Sequence, residues 1–462
     1  MSEQDGTQNI TLEQPEDEKE AVRRWKEAKE YWEARGQPWR REPEIDKERQ
    51  KFLAERRSIT PNRELHIYPF KDIKLDRADV EWLLATHENG RGPIDWSDES
   101  QRDRFGLDLR GADLRSAFLA NLPLACMGRV ESEIVVEFDM RIKPERDDEA
   151  IIHLEGAILH DAHLENADFT KANLEKAEFL GANLERAIFN YTNLKEAKLC
   201  NAILKDAFMW AANLENADLS KAHLEGAVMK YAYLSGANLQ GAFFDNLTRL
   251  NGSILSDEEN GAIALADVHW GDVNIAVVNW SSISILGDEV ETKKRTSRWG
   301  NIKSPIVRFD EYQTAVRAYR QISVVLRNQG LNEDAARLTY QAQLMQRKVF
   351  KYQHKRGQYL YSLFLDLLSG YGYKPERCFI AYLIVILSFA TAYFIIGHKV
   401  GPVLSPIGSL VFSVTSFHGR GFFPGGIVLD DPLTVVAALE AFIGLLIEVT
   451  FIATLTQRLF GR

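Results

Sequence analysis

The chain has 462 residues, a formal net charge of −10 and a hydrophobic content of 45%. This length leaves room for several domains, and the mildly acidic balance favours no particular class of partner. The three scattered cysteines, Cys126, Cys200 and Cys378, exclude a disulfide framework and are typical of a reducing compartment.

Charged residues dominate the N-terminal region, which we assign as a charged tail and helices at 1–60. Its start lacks a basic stretch followed by an apolar core, so we expect no cleaved signal peptide and a disordered tail. Trp25 and Trp32 lie two helical turns apart, which places both on one helical face. The pattern fits a solvated helix with two aromatic anchors, or a helix that docks on the chain's own repeats or on a neighbouring subunit.

A period of five residues organises the middle of the chain, after a predicted N-terminal cap at 61–108. Each pentad has a large apolar residue at its centre, and alanine or glycine precedes each later centre by two residues, except at Thr192. Five residues match neither the helical turn nor the two-residue alternation of a flat strand. A chain that turns a corner every five residues, however, points the centre and the small residue inward on every side. The consecutive centres are Leu154, Leu159, Leu164, Phe169, Leu174, Phe179, Leu184, Phe189, Leu194, Leu199, Leu204, Met209, Leu214, Leu219, Leu224, Met229, Leu234, Leu239 and Phe244.

This pattern resembles the pentapeptide-repeat family, which implies a right-handed, four-sided β-helix with one pentad per side over 109–286. Coils of four pentads would stack at the spacing of hydrogen-bonded strands, about 4.8 Å. An insertion at 125–149, with a strand-like run at Ile134–Met140, leaves the register unchanged, and we place a one-residue slip near Leu255–Asn260. Residues one coil apart then alternate in charge on two faces: Glu175, Lys195 and Glu215 on one, and Glu185, Lys205 and Glu225 on the next.

The repeat surface is mixed in charge. Some pentapeptide-repeat proteins mimic DNA and shield gyrase from quinolones, but residues 154–244 are too balanced in charge to imitate a duplex. A gyrase-binding DNA mimic is therefore a poor third hypothesis, and we expect an unknown protein or small ligand, and no nucleic acid, as the partner of the repeats. Four histidines beside the centres lack metal-ligand spacing and are expected to be solvated, so no metal site is predicted: His153, His160, His163 and His223.

Residues 287–376 are predicted to form a helical connector. One helix is predicted over Asp310–Asn328, and a second begins at Asn332 and continues past Arg347. The pair resembles a single tetratricopeptide-like hairpin. Basic residues then crowd the approach to the next segment: Lys348, Lys351, Lys355, Arg356, Lys374 and Arg377.

The remaining residues, 377–462, have the composition of a membrane module. Phe379–Ile396 carries no charge, and Pro432–Leu455 is interrupted by two glutamates alone. Both are long enough to cross a hydrocarbon core of about 30 Å. Val403–Phe417 is too short to cross and precedes a glycine-rich run, which predicts a re-entrant loop that neighbouring copies must shelter. The predicted spans are about 378–397 and 432–455.

The order of span, short helix, glycine loop and span resembles the two-span pore module of tetrameric, potassium-type channels of bacteria. The resemblance implies a homotetramer that passes monovalent ions across a lipid bilayer. It also implies a role for particular residues. The pore helix would end with Thr415, Ser416 and Phe417, and the inner helix would carry Glu440, Gly444 and Glu448.

The loop departs from the potassium filter Thr-Val-Gly-Tyr-Gly, whose carbonyl groups replace water around the ion. Gly421 and Phe422 fit the first glycine and the aromatic residue, whereas Arg420 and Phe423 take the places of the aliphatic residue and the second glycine. Phenylalanine does not readily adopt the φ values of glycine, so we expect a cation pore with weak or altered potassium selectivity. The predicted filter residues are His418, Gly419, Arg420, Gly421, Phe422 and Phe423.

Acidic residues near this loop are further candidates. We predict that Arg420 pairs with Glu440, since an intramembrane carboxylate is a functional-site hypothesis by default. Glu448 fits either an inner vestibule that draws cations or a pair between subunits. Asp430 and Asp431 would attract cations at the outer mouth or cap the second span.

The distribution of basic residues predicts the topology. They precede the first span and follow the second, which places both termini in the cytoplasm of a multi-pass inner (plasma) membrane protein. No enzyme motif is recognisable, and we expect no enzyme and no cofactor. The sequence therefore predicts a membrane ion channel that is gated or localised through a cytoplasmic repeat domain. The alternative is a non-conducting, membrane-anchored oligomeric scaffold that uses the repeats for protein–protein interaction.

Overall fold

The computed structural model describes residues 16–62, 65–128, 151–296, 302–399, 403–419 and 432–460. The chain divides into two units, Met1–Ile283 and Ser284–Arg462. The first unit begins with helices and continues as the repeats, and the second unit is helical. The helices of the first unit are α1 Glu16–Glu33, α2 Lys47–Arg57, α3 Arg77–Ala85 and the short α4 His87–Gly90, with 3₁₀ turns at Glu99–Gln101 and Trp280–Ser282.

A buried carboxylate on α3 ties the segment after α1 to the cap. Glu81 is fully buried, and it accepts the backbone N–H groups of Arg41 and Glu42, each at 2.9 Å. The Arg77 guanidinium lies 2.7 Å from the same carboxylate. Burial raises the pKa of Glu81, and these donors oppose the shift. Because the carboxylate satisfies two backbone donors, its loss would leave both of them unpaired.

Trp32 is the aromatic anchor of α1. Its ring is buried, its Nε1 donates to the Glu42 carbonyl oxygen at 2.8 Å, and the Arg40 guanidinium covers the ring at 3.5 Å. These contacts attach the end of α1 to the segment that follows it, at Arg40 and Glu42. The side chain of Trp25, which was predicted to share this face, lies outside the described residues.

The repeats form a four-sided parallel coil. Bridge partners are twenty residues apart and fall in four columns, for example Asn173 with Asn193 and Glu178 with Lys198. Backbone bonds form these bridges: on either side of Asn173, Leu174 N donates to Asn193 O at 2.8 Å and Asn193 N donates to Ala172 O at 3.0 Å. The β-helix that the five-residue period predicts is therefore confirmed.

The coil interior contains the predicted centres. Phe169 stacks on Phe189 with centroids 5.1 Å apart and an interplanar angle of 11°, and Phe179 meets Phe189 edge-on. Thr192, the exception to the small-residue rule, is fully buried, and its Oγ1 donates to Phe169 O at 2.6 Å. The hydroxyl is tolerated because it has a backbone partner.

The corners of the coil use the left-handed conformation. Arg186, Tyr191 and Glu196, each two residues after a centre, have φ values of 59°, 58° and 58°. A non-glycine residue there costs about 1 kcal/mol, which the burial of the intervening sides must offset.

The irregular coils differ from the prediction in detail. Asp113 bridges His153, two coil lengths on, so the register is unchanged across the insertion as predicted; Ile134–Met140 lies outside the described residues. The slip placed near Leu255–Asn260 is wrong. The step between bridge partners grows by one residue already at Val228 and Arg249, because Asp245 and Thr248 form a turn there. The later residues form a hairpin instead, with β1 Ser256–Asp257 antiparallel to β2 Gly261–Ala262.

The second unit consists of helices. The connector helix predicted to begin at Asp310 begins at Pro305, where the Ser304 hydroxyl caps Val307 N at 3.3 Å. It ends at Asn328, as predicted, and Gly330 with a φ of 82° makes the turn to the next helix. The helices are α5 Gly287–Lys293, α6 Pro305–Asn328, α7 Asn332–Tyr352, α8 Arg356–Ser369, α9 Pro375–Lys399, α10 Pro406–Phe417 and α11 Pro432–Phe460.

Asp366 on α8 joins three helices. Its carboxylate accepts the Tyr340 hydroxyl of α7 at 2.9 Å and lies 2.7 Å from Arg347 of the same helix and 3.0 Å from Arg377 of α9. Burial alone would raise the pKa of Asp366, but the hydrogen bonds from Arg347 and Tyr340 outweigh it and lower the pKa. Asp366 therefore remains ionised and fastens α8 between its neighbours.

Candidate functional site

The short helix α10 packs between α9 and α11, which are both long and apolar enough to cross a membrane. Two buried clusters hold it there. Phe412 packs with Tyr393 of α9 and Leu433 of α11, and Phe417 packs with Ile386 of α9 and Ile447 of α11. From Phe412 to Phe417, the residue numbers of the partners therefore increase on α11 and decrease on α9. Helix α10 therefore runs parallel to α11 and antiparallel to α9.

Glu440 is a fully buried carboxylate at the centre of this packing. Its Oε2 accepts the Tyr393 hydroxyl at 2.6 Å, and its Oε1 lies 2.5 Å from the Ser413 hydroxyl. Ser413 Oγ is also 2.9 Å from the carbonyl oxygen of Ile386. The network therefore links one residue from each of the three helices. Because a buried polar group without partners is costly, these bonds select one position for α10.

Backbone proximity marks the second contact between α10 and α11. A Cβ atom at Gly444 would lie 2.1 Å from the carbonyl oxygen of Phe417 and 3.0 Å from its carbonyl carbon. Any side chain at this position would collide with a main chain that cannot rotate away. Gly444 thus permits the end of α10 to lie directly on α11.

His418 follows α10 and contacts α11 at Glu448, one helical turn C-terminal to Gly444. Its Nδ1 is bonded to Glu448 Oε1, and its Nε2 lies 3.4 Å from the Tyr382 hydroxyl of α9. These residues border a mainly apolar cavity of about 550 Å³, which Phe379 of α9 also lines. The cavity has a polar end, where the imidazole and the carboxylate meet.

The predicted site residues are only partly brought together by the described residues. His418 and Glu448 form a pair that sequence reasoning did not foresee. Ser416 and Phe417 are buried, and Thr415 bonds back to its own helix at 2.9 Å from Phe412 O. The pairing of Glu440 with Arg420 stays a prediction. Of the predicted residues, the following lie outside the described ranges: Arg420, Gly421, Phe422, Phe423, Asp430 and Asp431.

Sequence reasoning missed Tyr393 and Ser413. Both are polar residues within apolar helices, which was the available signal. Their role depends on where three helices cross, and the spacing within one helix does not contain that information.

The repeat surface offers charge ladders and one apolar patch. Lys195 lies 3.3 Å from Glu215 and Lys205 lies 3.8 Å from Glu225, as the predicted alternation requires. The histidines that were predicted to be solvated each lie beside a glutamate, for example His160 at 2.8 Å from Glu178.

The patch occupies one column and its adjoining corner. Ile188, Phe208 and Val228 follow one another in a bridge column. The corner beside it carries an aromatic cluster, in which the Trp210 ring centroid lies 4.7 Å from that of Tyr191. We call these five residues the column patch. Phe208 is its most exposed member, at 37%.

Comparison with known proteins identifies the repeats. A family model described as Pentapeptide repeats matches in eight copies, over residues 152–179, 172–206 and 211–246. A comparison with curated proteins finds no match.

Several solved structures are similar to part of the chain. HetL, a pentapeptide repeat protein involved in heterocyst differentiation regulation from Nostoc sp. strain PCC 7120, is 26% identical, with a TM-score of 0.26, and the match covers 36% of this chain and 66% of HetL. QnrB1, a plasmid-mediated fluoroquinolone resistance protein, is 21% identical, with a TM-score of 0.20, over 36% of this chain and 74% of its own. A pentapeptide repeat protein from the thylakoid lumen of Arabidopsis thaliana is 26% identical, with a TM-score of 0.17, over 32% and 85%.

The family match and the twenty-residue step of the bridges agree on the same residues. Residues 152–246 therefore carry pentapeptide repeats, and a helical unit with two candidate membrane spans follows them in the chain.

Proposed function

We propose that the chain is an oligomeric membrane ion channel, as a homotetramer, with the pentapeptide repeats as its interaction domain. The observation that carries this proposal is the position of α10. A helix too short to cross a bilayer packs between two helices that are long enough, and it does so around a buried carboxylate.

The positions of the described residues on either side of 420–431 support a re-entrant loop. His418 contacts Glu448, which lies sixteen residues beyond Pro432 on α11, or about 24 Å along the helix. The chain must cover this distance backwards in the twelve residues from 420 to 431. Twelve residues reach at most about 40 Å, so the return is feasible. The chain would therefore enter and leave on one side, and its backbone there needs sister copies or water to satisfy it.

The proposed pore passes monovalent cations with weak or altered potassium selectivity. Arg420 and Phe423 replace two residues of the potassium filter pattern, and this is the reason to expect altered selectivity. The pair of His418 and Glu448 lies at the end of α10 and would set the charge near the ion path. In this proposal both termini are cytoplasmic and the protein resides in the inner (plasma) membrane.

Ion flux through the purified full-length protein tests the proposal. The protein is reconstituted in liposomes of phosphatidylcholine and phosphatidylglycerol, and potassium and sodium efflux are measured. We expect comparable fluxes of the two ions and altered flux in Glu448→Gln. Glu215→Gln, which neutralises a glutamate on the repeats, is the matched control and should behave as the wild type. An intact oligomer in lipid that passes neither ion would reject the channel.

A membrane-anchored scaffold is the second candidate function. The column patch favours it, because an apolar surface on a soluble coil fits a protein partner. The scaffold predicts membrane insertion and oligomers without flux. The same liposome experiment therefore separates the two functions.

A further inference from the structure

Helix α8 exposes an apolar stripe. Leu360, Leu363, Phe364 and Leu367 follow the three- and four-residue spacing of one helical face, and Leu360 and Leu367 are 62% and 76% exposed. The opposite face is buried and carries Asp366, which fastens α8 to α7 and α9. The stripe therefore faces away from the helices that hold α8.

The chain around the start of α8 is strongly basic. Residues 335–365 contain no Asp or Glu but six Lys and Arg. Arg347 pairs with Asp366. Arg337 pairs with Asp334. The other four cations of residues 335–365 are exposed, have no described carboxylate within ion-pair distance and lie at the corner between α7 and α8: Lys348, Lys351, Lys355 and Arg356.

A cavity of about 380 Å³ opens at this corner. Lys351, His354 and Arg356 line it together with the rings of Phe350 and Tyr359, and no carboxylate does. Leu360, the first residue of the stripe, completes the lining. The cationic cavity thus continues directly into an apolar face. This arrangement is complementary to an anionic phospholipid, in which a negatively charged headgroup adjoins apolar acyl chains.

The corner and stripe also continue into the first candidate span. Helix α9 begins six residues after α8 ends, and Leu368 of α8 packs with Cys378 of α9. Phe379 and Ile380 of α9 are exposed and apolar, as the stripe is. An apolar helix face with basic residues at its edge and a span beside it is suited to the boundary between headgroups and acyl chains.

We propose that the corner between α7 and α8 binds an anionic membrane phospholipid, with Lys351 and Arg356 at the headgroup phosphate and the α8 stripe among the acyl chains. The site rests on the proposed membrane position of α9 and α11. It does not require that the pore conducts ions.

Lipid binding to the detergent-solubilised full-length protein tests this site. Native mass spectrometry compares retained phosphatidylglycerol with retained phosphatidylcholine. We expect phosphatidylglycerol to be retained in preference, and a loss of at least fivefold in the variant with Lys351→Gln, Lys355→Gln and Arg356→Gln. The variant with Lys26→Gln, Lys47→Gln and Lys51→Gln removes three exposed charges from α1 and α2 and should retain phosphatidylglycerol as the wild type does.

Two further arms identify the ligand source. The stripe variant with Leu363→Gln and Leu367→Gln should also lose phosphatidylglycerol, and millimolar glycerol phosphate should fail to displace it. Equal retention of both lipids, full retention by either variant, or displacement by glycerol phosphate would each overturn the lipid site. Failure of the channel would appear differently, as absent ion flux with lipid selectivity intact.

Discussion

The close contact between Gly444 and Phe417 gives a prediction whose sign the structure determines. In Gly444→Ala the new Cβ would lie 2.1 Å from the Phe417 carbonyl oxygen. Normal contact needs about 1 Å more, so α10 and α11 must separate. Overpacking of this kind costs about 1–3 kcal/mol, and alanine returns up to about 1 kcal/mol of helix propensity. We expect a net loss of about 1–2 kcal/mol.

Cys378 provides an assay that is specific to these helices. Cys378 is 1% exposed and packs in the same cluster as Phe417, so a thiol reagent reaches it only when the cluster opens. Cys126→Ser and Cys200→Ser leave Cys378 as the one cysteine of the chain. In this background Gly444→Ala should speed the labelling of Cys378 by a factor of about 5–30.

Gly357→Ala is the matched control. A Cβ there would meet nothing within 4 Å, so the substitution adds helix propensity without a collision. It should leave labelling unchanged or slow it. If Gly444→Ala labelled no faster than Gly357→Ala, the reasoning that places the end of α10 on α11 would be refuted.

Three further predictions concern the two units outside the spans. Phe189→Ala removes a buried ring from the coil and should cost about 3–5 kcal/mol in urea unfolding, whereas Leu180→Ala, at a side chain 43% exposed, should cost less than about 0.5 kcal/mol. Asp366→Ala leaves Tyr340 and two guanidinium groups without their acceptor and should lower the free energy of unfolding by about 1–3 kcal/mol. Asp366→Asn keeps an acceptor for Tyr340 and should lower it less. Equal melting temperatures for both variants and the wild type would contradict the role of Asp366. The hydrogen bond from Arg115 lowers the pKa of Asp113 to about 2. The stability that the ionised Asp113 contributes to the fold is therefore complete above the unfolded pKa near 3.8 and is lost as the pH falls towards 2. Carboxyl NMR shifts should place the titration midpoint of Asp113 near 2, and a midpoint near 3.8 would show that the contact is absent in solution.

The repeats were predictable because nearly every pentad shows the same pattern. A large centre and a small residue recur together, and no helix or flat strand has use for a period of five. Where the period weakens, individual contacts determine the register of the coil, and the predicted position of the one-residue slip was wrong there. The extra residue near Thr248 is accommodated because its Oγ1 donates to Leu224 O at 3.0 Å, a contact with the previous coil that the local spacing does not reveal.

The site was predictable as a set of unusual residues and not as a set of contacts. A carboxylate or histidine in an apolar segment is conspicuous, so Glu440, Glu448 and His418 were all identified. Their partners come from other helices, and the crossing of those helices determines which groups meet. The sequence therefore directed attention to Arg420 for Glu440, whereas the described partners are the hydroxyl groups of Tyr393 and Ser413.

The contacts that hold α10 between α9 and α11 favour a pore over a simple membrane anchor. An anchor needs apolar helices and nothing more, and replacing a buried polar network by apolar residues of similar volume is often neutral or stabilising. Yet the Glu440 network binds Ser413 of α10 as well as Tyr393 of α9, and the contact at Gly444 also holds α10. The polar network therefore also positions a helix that an anchor would not require.

A variant with Glu440→Leu, Ser413→Ala and Tyr393→Phe puts this argument to the test. If α10 positions a pore loop, the variant should still insert and assemble, because apolar side chains replace a buried polar network, but it should lose most of its ion flux. Glu376→Gln, which neutralises an exposed acidic residue at the start of α9, is the control and should keep wild-type flux. Wild-type flux in the triple variant would mean that the position of α10 does not matter for conduction. The buried carboxylate would then have no part in the proposed pore.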